Sequence, residues 1–282
     1  MNKLIAGIDE VATETQKVEG WCYFCISQLE YEKFQNEVKA LLATNGKLKS
    51  FHGKKFIMEF KDEYEQFLRI IRKYAEISVP SFLCTILYSV DFKNQYKLFS
   101  ERLTENVLKN NNVGNNNFLS ICKKLTAELF EFMRLIESFG KHNELFVEID
   151  SDNEKEKFKH LTTSIKGKDF EANQLITMLY NAYQCKQFPN SPILSDRGVS
   201  ILKDQKSFAI QAADVIGNFS NSYIFYKLGD TSKRVEKGKI FEKVFGDLFD
   251  STDFTGSIKL CGNSDLQLLN DGTLPMLIYN TQ

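Results

Sequence analysis

Several things are missing from this chain, and each absence removes a class of function. There is no surplus of charge of one sign, since 36 Lys and Arg stand against 37 Asp and Glu. No global basic field marks a nucleic-acid or anionic-membrane partner, so any polyanion site has to be local. No run of 18 apolar residues occurs, which excludes a membrane-spanning helix. The opening segment Met1–Glu10 has a short apolar stretch, Leu4–Ile8, closed by Asp9 and Glu10. It is too short and too acidic for a secretion signal, and a cytoplasmic location is expected.

Paired cysteine motifs are also scarce. The six cysteines are scattered among apolar neighbours, and only Cys22 and Cys25 make a CxxC. They lie in a run with strand character, where that spacing sends the thiols to opposite faces. Without a second pair to complete a zinc site, they read as small buried hydrophobes. The sequence shows no phosphate-binding glycine loop, dinucleotide fingerprint, nucleophile–base triad or internal repeat.

What remains is an ordinary globular chain of 282 residues, 43% hydrophobic, long enough to bury a full core. Leu4–Glu10 and Val18–Gln28 read as a β-hairpin across the polar turn 12–17. Leu29–Thr44 has helical spacing and stops at Asn45-Gly46. Glu59–Glu76 carries a strong apolar stripe, and 80–90 reads as a buried strand. Two helical stretches, 94–109 and 118–139, flank the Asn-rich loop 110–117 and suggest an inserted helical hairpin. Its apolar surplus, including Leu125, Leu129, Phe132 and Ile136, exceeds what a hairpin buries alone. That surplus is expected on the core or at a protein interface. Then follow a strand at Glu144–Ile149, a helix over Ala172–Gln184, one or two short strands in Ile193–Leu202 and a long helix over 207–228. A helix near 236–250 and a β-like tail complete a mixed α/β pattern.

Three carboxylate positions stand out. The apolar strand Leu4–Ile8 delivers Asp9 to its end, with Glu10 on the opposite face. Alternation along Phe146–Asp152 puts Glu148, Asp150 and Asp152 on one face, unfavourable unless water or a cation lies among them. Asp214 is the only charged residue of Ser207–Tyr226, and no cation at three or four residues' distance pairs with it. Separately, Asp9 fits a turn, Asp150 and Asp152 fit a helix cap, and Asp214 is satisfied by a buried water or a distant Arg. Jointly they suggest a shared cluster, the all-oxygen ligand set that Mg2+ or Mn2+ prefers. His52 lies in a basic segment with Lys47, Lys49, Lys54 and Lys55. That segment is either a solvated loop or a grip on phosphates.

The segments Gly7-Ile8-Asp9-Glu10, Val147-Glu148-Ile149-Asp150 and Ile210-Gln211-Ala212-Ala213-Asp214-Val215-Ile216-Gly217 resemble an RNase H-like family, domain of unknown function 3800. Ser207 and Phe51-His52-Gly53-Lys54 also match its pattern, and the order and spacing cover roughly residues 3–229. The chain departs from the family after the first motif, where Val11-Ala12 replaces a Ser-Gly pair. The resemblance implies an RNase H-like domain over 1–230, a mixed central sheet flanked by helices. It carries a helical insertion at about 91–140 and a C-terminal extension, 231–282, packed on the same domain.

The activity implied is a divalent-metal-dependent nuclease or phosphodiesterase. Mg2+ or Mn2+ would be held by Asp9, Asp150 and Asp214, with Glu148 and Asp152 as further ligands and Glu10 as a further catalytic carboxylate. His52, Lys54, Lys55 and Gln211 would contact substrate, a nucleic acid. The alternative is a catalytically silent RNase H-like module that binds a partner protein, or a further copy of itself, in a defence or mobile-element system.

Overall fold

A computed structural model describes residues 2–13, 18–78, 81–89, 142–151, 162–165, 167–227, 234–248 and 273–281, with Leu125, Glu128, Leu129, Phe132, Ile136, Glu137, Lys155 and Glu156. The first hairpin joins β1 (Lys3–Thr13) to β2 (Val18–Ser27) in antiparallel register. Helix α1 (Gln28–Asn45) starts at once, because the Ser27 side chain caps the Glu30 N–H. It stops at Gly46, whose φ of 65° is the left-handed conformation that glycine adopts without strain. A loop and a single 3-10 turn lead into α2 (Lys61–Ile77), whose apolar stripe from Tyr64 to Ala75 is buried.

Strand β3 (Ser81–Ser89) pairs with β2, and β4 (Glu144–Asp150) lies parallel to β1. A small separate hairpin, β5 (Thr162–Ile165) and β6 (Lys168–Glu171), precedes α3 (Ala172–Gln187). Strand β7 (Ile193–Leu202) runs parallel to β4, and α4 (Phe208–Lys227) follows. Helix α5 (Val235–Phe245) and β8 (Thr273–Thr281) end the described chain. The main sheet is mixed, with strand order β7-β4-β1-β2-β3-β8. The class is therefore mixed α/β, a mixed sheet flanked by helices. Among the described residues no helix is long and apolar enough to cross a membrane.

Helix α4 crosses one face of the sheet in backbone contact. A Cβ at Gly7 would lie 2.2 Å from the Ala209 backbone, and one at Gly217 would lie 2.3 Å from the Val11 side chain. That face continues into a core of Phe24, Phe34, Phe51, Tyr64, Phe67 and Phe219, all buried. Cys22 faces Gly217 on this side, while Cys25, an odd number of residues away, belongs to the other. On the opposite face Leu4, Ala6, Ile8 and Tyr23 are buried, and Tyr23 stacks on Phe132 with ring centroids 5.1 Å apart. Leu125, Leu129, Phe132 and Ile136 are buried too, so this part of the expected surplus turns inward.

Several expectations change. Strand β1 does not end at Asp9 but runs on to Thr13, because Val11 is buried against Gly217 and pairs with Gly20. Of the one or two strands expected in Ile193–Leu202 there is one, as the reading allowed, and its pairing with β4 shifts between Leu145 and Val147. The β5–β6 hairpin has no counterpart in the sequence reading. In the C-terminal segment α5 packs on α4, and β8 pairs with β3 at the sheet edge. The helical stretch 94–109, the Asn-rich loop and Asp152 lie outside the described residues, as does most of 91–140.

Candidate metal centre

Asp9 and Asp150 meet because β1 and β4 are parallel with Ile8 opposite Ile149, so the next residue of each strand emerges beside the other. Asp214 comes from the second turn of α4, which is pressed onto β1 at Gly7. Asp204 stands in the 3-10 turn Asp204–Lys206 that links β7 to α4. His52 comes from the loop between α1 and α2. Together with Lys54 and Lys55 these residues line one cleft of about 130 Å3.

Polar contacts fix α4 and the loop in this position. The Ser207 hydroxyl accepts the Ile210 N–H at 3.0 Å and donates to Glu148 Oε2 at 2.5 Å. The Tyr31 hydroxyl donates to the same carboxylate oxygen at 3.2 Å and accepts the Ala209 N–H. Glu148 is thus the anchor for the start of α4. Along the loop, the Phe51 N–H donates to Gln211 Oε1 at 3.0 Å and the His52 N–H to the Tyr64 hydroxyl at 3.1 Å. The Gly53 N–H donates to Asp214 Oδ2 at 2.8 Å. Only glycine fits there, since a Cβ would sit 2.4 Å from the Asp214 carbonyl oxygen. The Gln211 side-chain nitrogen donates to the Asp204 carbonyl, so one buried amide clamps both segments that border the cleft. Lys237 of α5 adds a 2.7 Å hydrogen bond to the Gly53 carbonyl.

Within the cleft, His52 Nδ1 lies 2.6 Å from Asp204 Oδ2, and its Nε2 lies 2.7 Å from the Ser50 hydroxyl. Ser50, His52 and Asp204 thus stand in the order of a nucleophile relay. However, Ser50 is buried and does not line the cleft. The amides of Phe51, His52 and Gly53 are also spent on Gln211, Tyr64 and Asp214, which leaves this loop no donor for an oxyanion. The arrangement positions His52 rather than activating Ser50.

The electrostatics are those of crowded like charges. Burial raises Asp9 well above the ordinary carboxylate range, and the charges of Asp214 and Asp150 add to it, partly offset by Lys155. Burial and then the Asp204 charge push Asp150 up to about 6. Asp214 is also raised by burial, against the opposing hydrogen bond from Gly53, and it shares a hydrogen bond with Asp9. Among the described residues none of these three makes an ion pair. Lys155 is itself buried and bound to Glu128 at 3.2 Å.

Crowded buried carboxylates without a bound cation keep protons that they would otherwise lose. A hard divalent cation would relieve this repulsion, and the oxygen donors match Mg2+ or Mn2+. The residues therefore fit the group that the resemblance implies. His52, Asp204 and Asp214 also offer ligand atoms within 4.8 Å of one another.

Of the residues singled out in the sequence, Asp9, Asp150, Asp214, His52, Lys54 and Lys55 share the cleft. Gln211 is 1% exposed and holds the loop instead of reaching a substrate. Glu148 is spent on Ser207 and Tyr31, and Glu10 points to the face opposite Asp9. Asp204 was not anticipated. It lies in the polar run Lys203–Lys206, which reads as solvated, and its one local signal is its place just ahead of the helix that carries Asp214.

No family model, curated protein or solved structure matches this chain.

Proposed function

We propose that the protein is a divalent-metal-dependent nuclease or phosphodiesterase of RNase H-like fold, as the resemblance to domain of unknown function 3800 implies. One observation carries the reading. Asp9, Asp150 and Asp214, drawn from two strands and a helix far apart in sequence, line one cleft without an ion pair among the described residues. The mixed sheet, with the two strand carboxylates side by side on parallel neighbours, is consistent with that fold.

Asp9, Asp150 and Asp214 would hold Mg2+ or Mn2+. Such an ion supplies Lewis acidity to a phosphoryl oxygen and lowers the pKa of water. The protein's own groups do the rest. The Gly53 and Asn218 hydrogen bonds fix the rotamer of Asp214. Glu148 and Ser207 fix the height of α4 above β1. Exposed Lys54 and Lys55 at the rim attract a phosphate backbone to a chain with no overall basic field.

The test is incubation of the purified chain with labelled single-stranded and duplex DNA and RNA in Mg2+ or Mn2+. Strand cleavage that a chelator stops and that Asp214→Asn lacks is the expected result. The second reading, a catalytically silent module, is favoured by Val11. This residue stands where the family has a small polar pair, and its side chain is buried against Gly217. Metal binding with no cleavage of any of these substrates would decide for it.

A further inference from the structure

Helix α5 lines no part of the cleft, yet one of its side chains reaches the loop that does. The other lysines of this helix pair with carboxylates, Lys239 with Glu236 and Lys243 with Glu65. Lys237 makes no ion pair among the described residues. Its Nζ donates instead to the Gly53 carbonyl at 2.7 Å, with the Phe219 ring centroid 6.0 Å away. We propose that Lys237 is a positioning residue of the metal centre: by holding the Gly53 carbonyl it aims the Gly53 N–H at Asp214 and keeps that carboxylate turned for a cation. The inference rests on the metal-dependent reading above and adds to it a residue of the C-terminal segment.

Gly53 is where such a hold is needed. Glycine has the widest backbone freedom of any residue, so a loop turns there unless both of its peptide groups are tied. One tie is the N–H on Asp214 Oδ2 at 2.8 Å, and the other is the carbonyl on Lys237. A side chain at this position cannot replace the second tie, because a Cβ would meet the Asp214 carbonyl oxygen at 2.4 Å and Asn218 Cβ at 2.6 Å. Lys54 and Lys55, which follow, are exposed, and the next apolar hold on the loop is Phe56 against the rings of Tyr64 and Phe219. The remaining contact on the carboxylate, from Asn218 to Oδ1 at 2.7 Å, comes from Asp214's own helix and sets one oxygen only.

The charge itself is not what favours a lysine here. Burial draws the ammonium below its ordinary range, against the opposing pull of Asp214. A half-buried charge with one carbonyl for a partner costs stability that an apolar chain of equal length, packed on Phe219, would not. A positive charge beside Asp214 also repels an incoming cation. What Lys237 supplies in return is a directed hydrogen bond to the one backbone group that steers the Gly53 N–H.

The test uses Lys237→Met, which keeps the chain length and removes the donor, and Lys237→Arg, which keeps the donor. In the metal-free chain, exchange of the Gly53 amide hydrogen, followed by nuclear magnetic resonance, should quicken about tenfold in Lys237→Met, the effect of losing one hydrogen bond to a charged group. The Phe51 amide, bonded to Gln211, should keep its wild-type rate, and the melting temperature should not fall. Mn2+ titration followed by electron paramagnetic resonance should show about tenfold weaker binding, the lower end of the range for outer-shell partners. Lys237→Arg should restore both. The sign is decisive, because loss of a positive charge alone would tighten the binding of a cation. Mn2+ bound by Lys237→Met as tightly as by wild type, or more tightly, overturns the inference and leaves the metal-dependent reading standing. So does a lower melting temperature with faster exchange at Phe51 as well as Gly53, which marks a general packing role. A wild-type chain that binds no Mn2+ overturns both.

Discussion

On the outer surface of α2 and α5 the carboxylates sit among cations; in the cleft they sit among one another. Asp247 accepts a bidentate contact from Arg72, with Nη2 to Oδ2 at 2.7 Å, and the guanidinium holds its carboxyl below the ordinary range. Burial would raise Glu65, but hydrogen bonds from Lys243 and Arg69 outweigh it and the net shift is downward. Asp9, Asp150 and Asp214 move the other way, upward, each with burial as the leading cause. The same chemical group is thus a completed contact in one region and an incomplete one in the other. Surface pairs of the first kind contribute little to stability, while a buried like-charge cluster costs stability until something positive joins it.

That contrast is most sharply broken by activity. Asp9→Asn or Asp214→Asn should lower metal-dependent phosphodiester cleavage by about 10²- to 10³-fold, the size of losing one strong electrostatic contact in a transition state. Asp247→Asn should leave the rate unchanged. Initial rates on one labelled substrate check both.

The next largest effect is linkage. Mn2+ at about 100 times its dissociation constant should stabilise the chain by about 2.7 kcal/mol, read as a rise in melting temperature. Asp214→Asn should remove that rise, and Asp247→Asn should keep it.

The pH dependence should also have opposite signs in the two regions. A carboxylate whose folded pKa is raised contributes stability that is fully present below its unfolded value and is lost as pH climbs through the folded one. For Asp150 that loss runs from about 3.8 to about 6, and Asp9 and Asp214 add to it in the same direction. Asp247, with its pKa lowered, contributes stability that is present above its unfolded value and lost as pH falls. Melting temperatures between pH 4 and 7 without metal should therefore show a decline toward neutrality that Asp150→Asn flattens and saturating Mn2+ suppresses.

Smallest of all, Asp247→Asn should cost no more than about 1 kcal/mol in urea unfolding, because the pair it breaks is at the surface. A larger loss would mean that the Arg72 contact is a structural brace between α2 and the end of α5.

Much of this was legible residue by residue. The stop of α1 at Gly46 and the buried stripe of α2 follow from local periodicity and from what a glycine permits, whereas the pattern around Leu129 and Phe132 left core and interface equally open. Asp214 was conspicuous because a lone charge on a long, otherwise uncharged helix violates the usual surface pattern. The extension of β1 past Asp9 was not legible, because Val11 is held in the strand by Gly20 of β2 and by Gly217 on a distant helix, not by its own neighbours in the chain.

The amino-acid sequence by itself determined most of the order of elements, the β5–β6 hairpin excepted, and the three carboxylates that lack a cation among their neighbours in the chain, since both are properties of a few neighbouring residues. The tertiary structure alone decided which polar groups complete the site. Glu148 was expected at the metal and anchors a helix; Gln211 was expected at substrate and clamps two loops; Asp204 was expected nowhere and stands 2.6 Å from His52. The physical reason is the range of the interactions. Hydrophobic periodicity acts over one or two turns of chain and leaves its mark in the local pattern. A hydrogen bond between His52 and Asp204 joins segments that become neighbours only after the sheet and α4 have formed, and neither segment records the other.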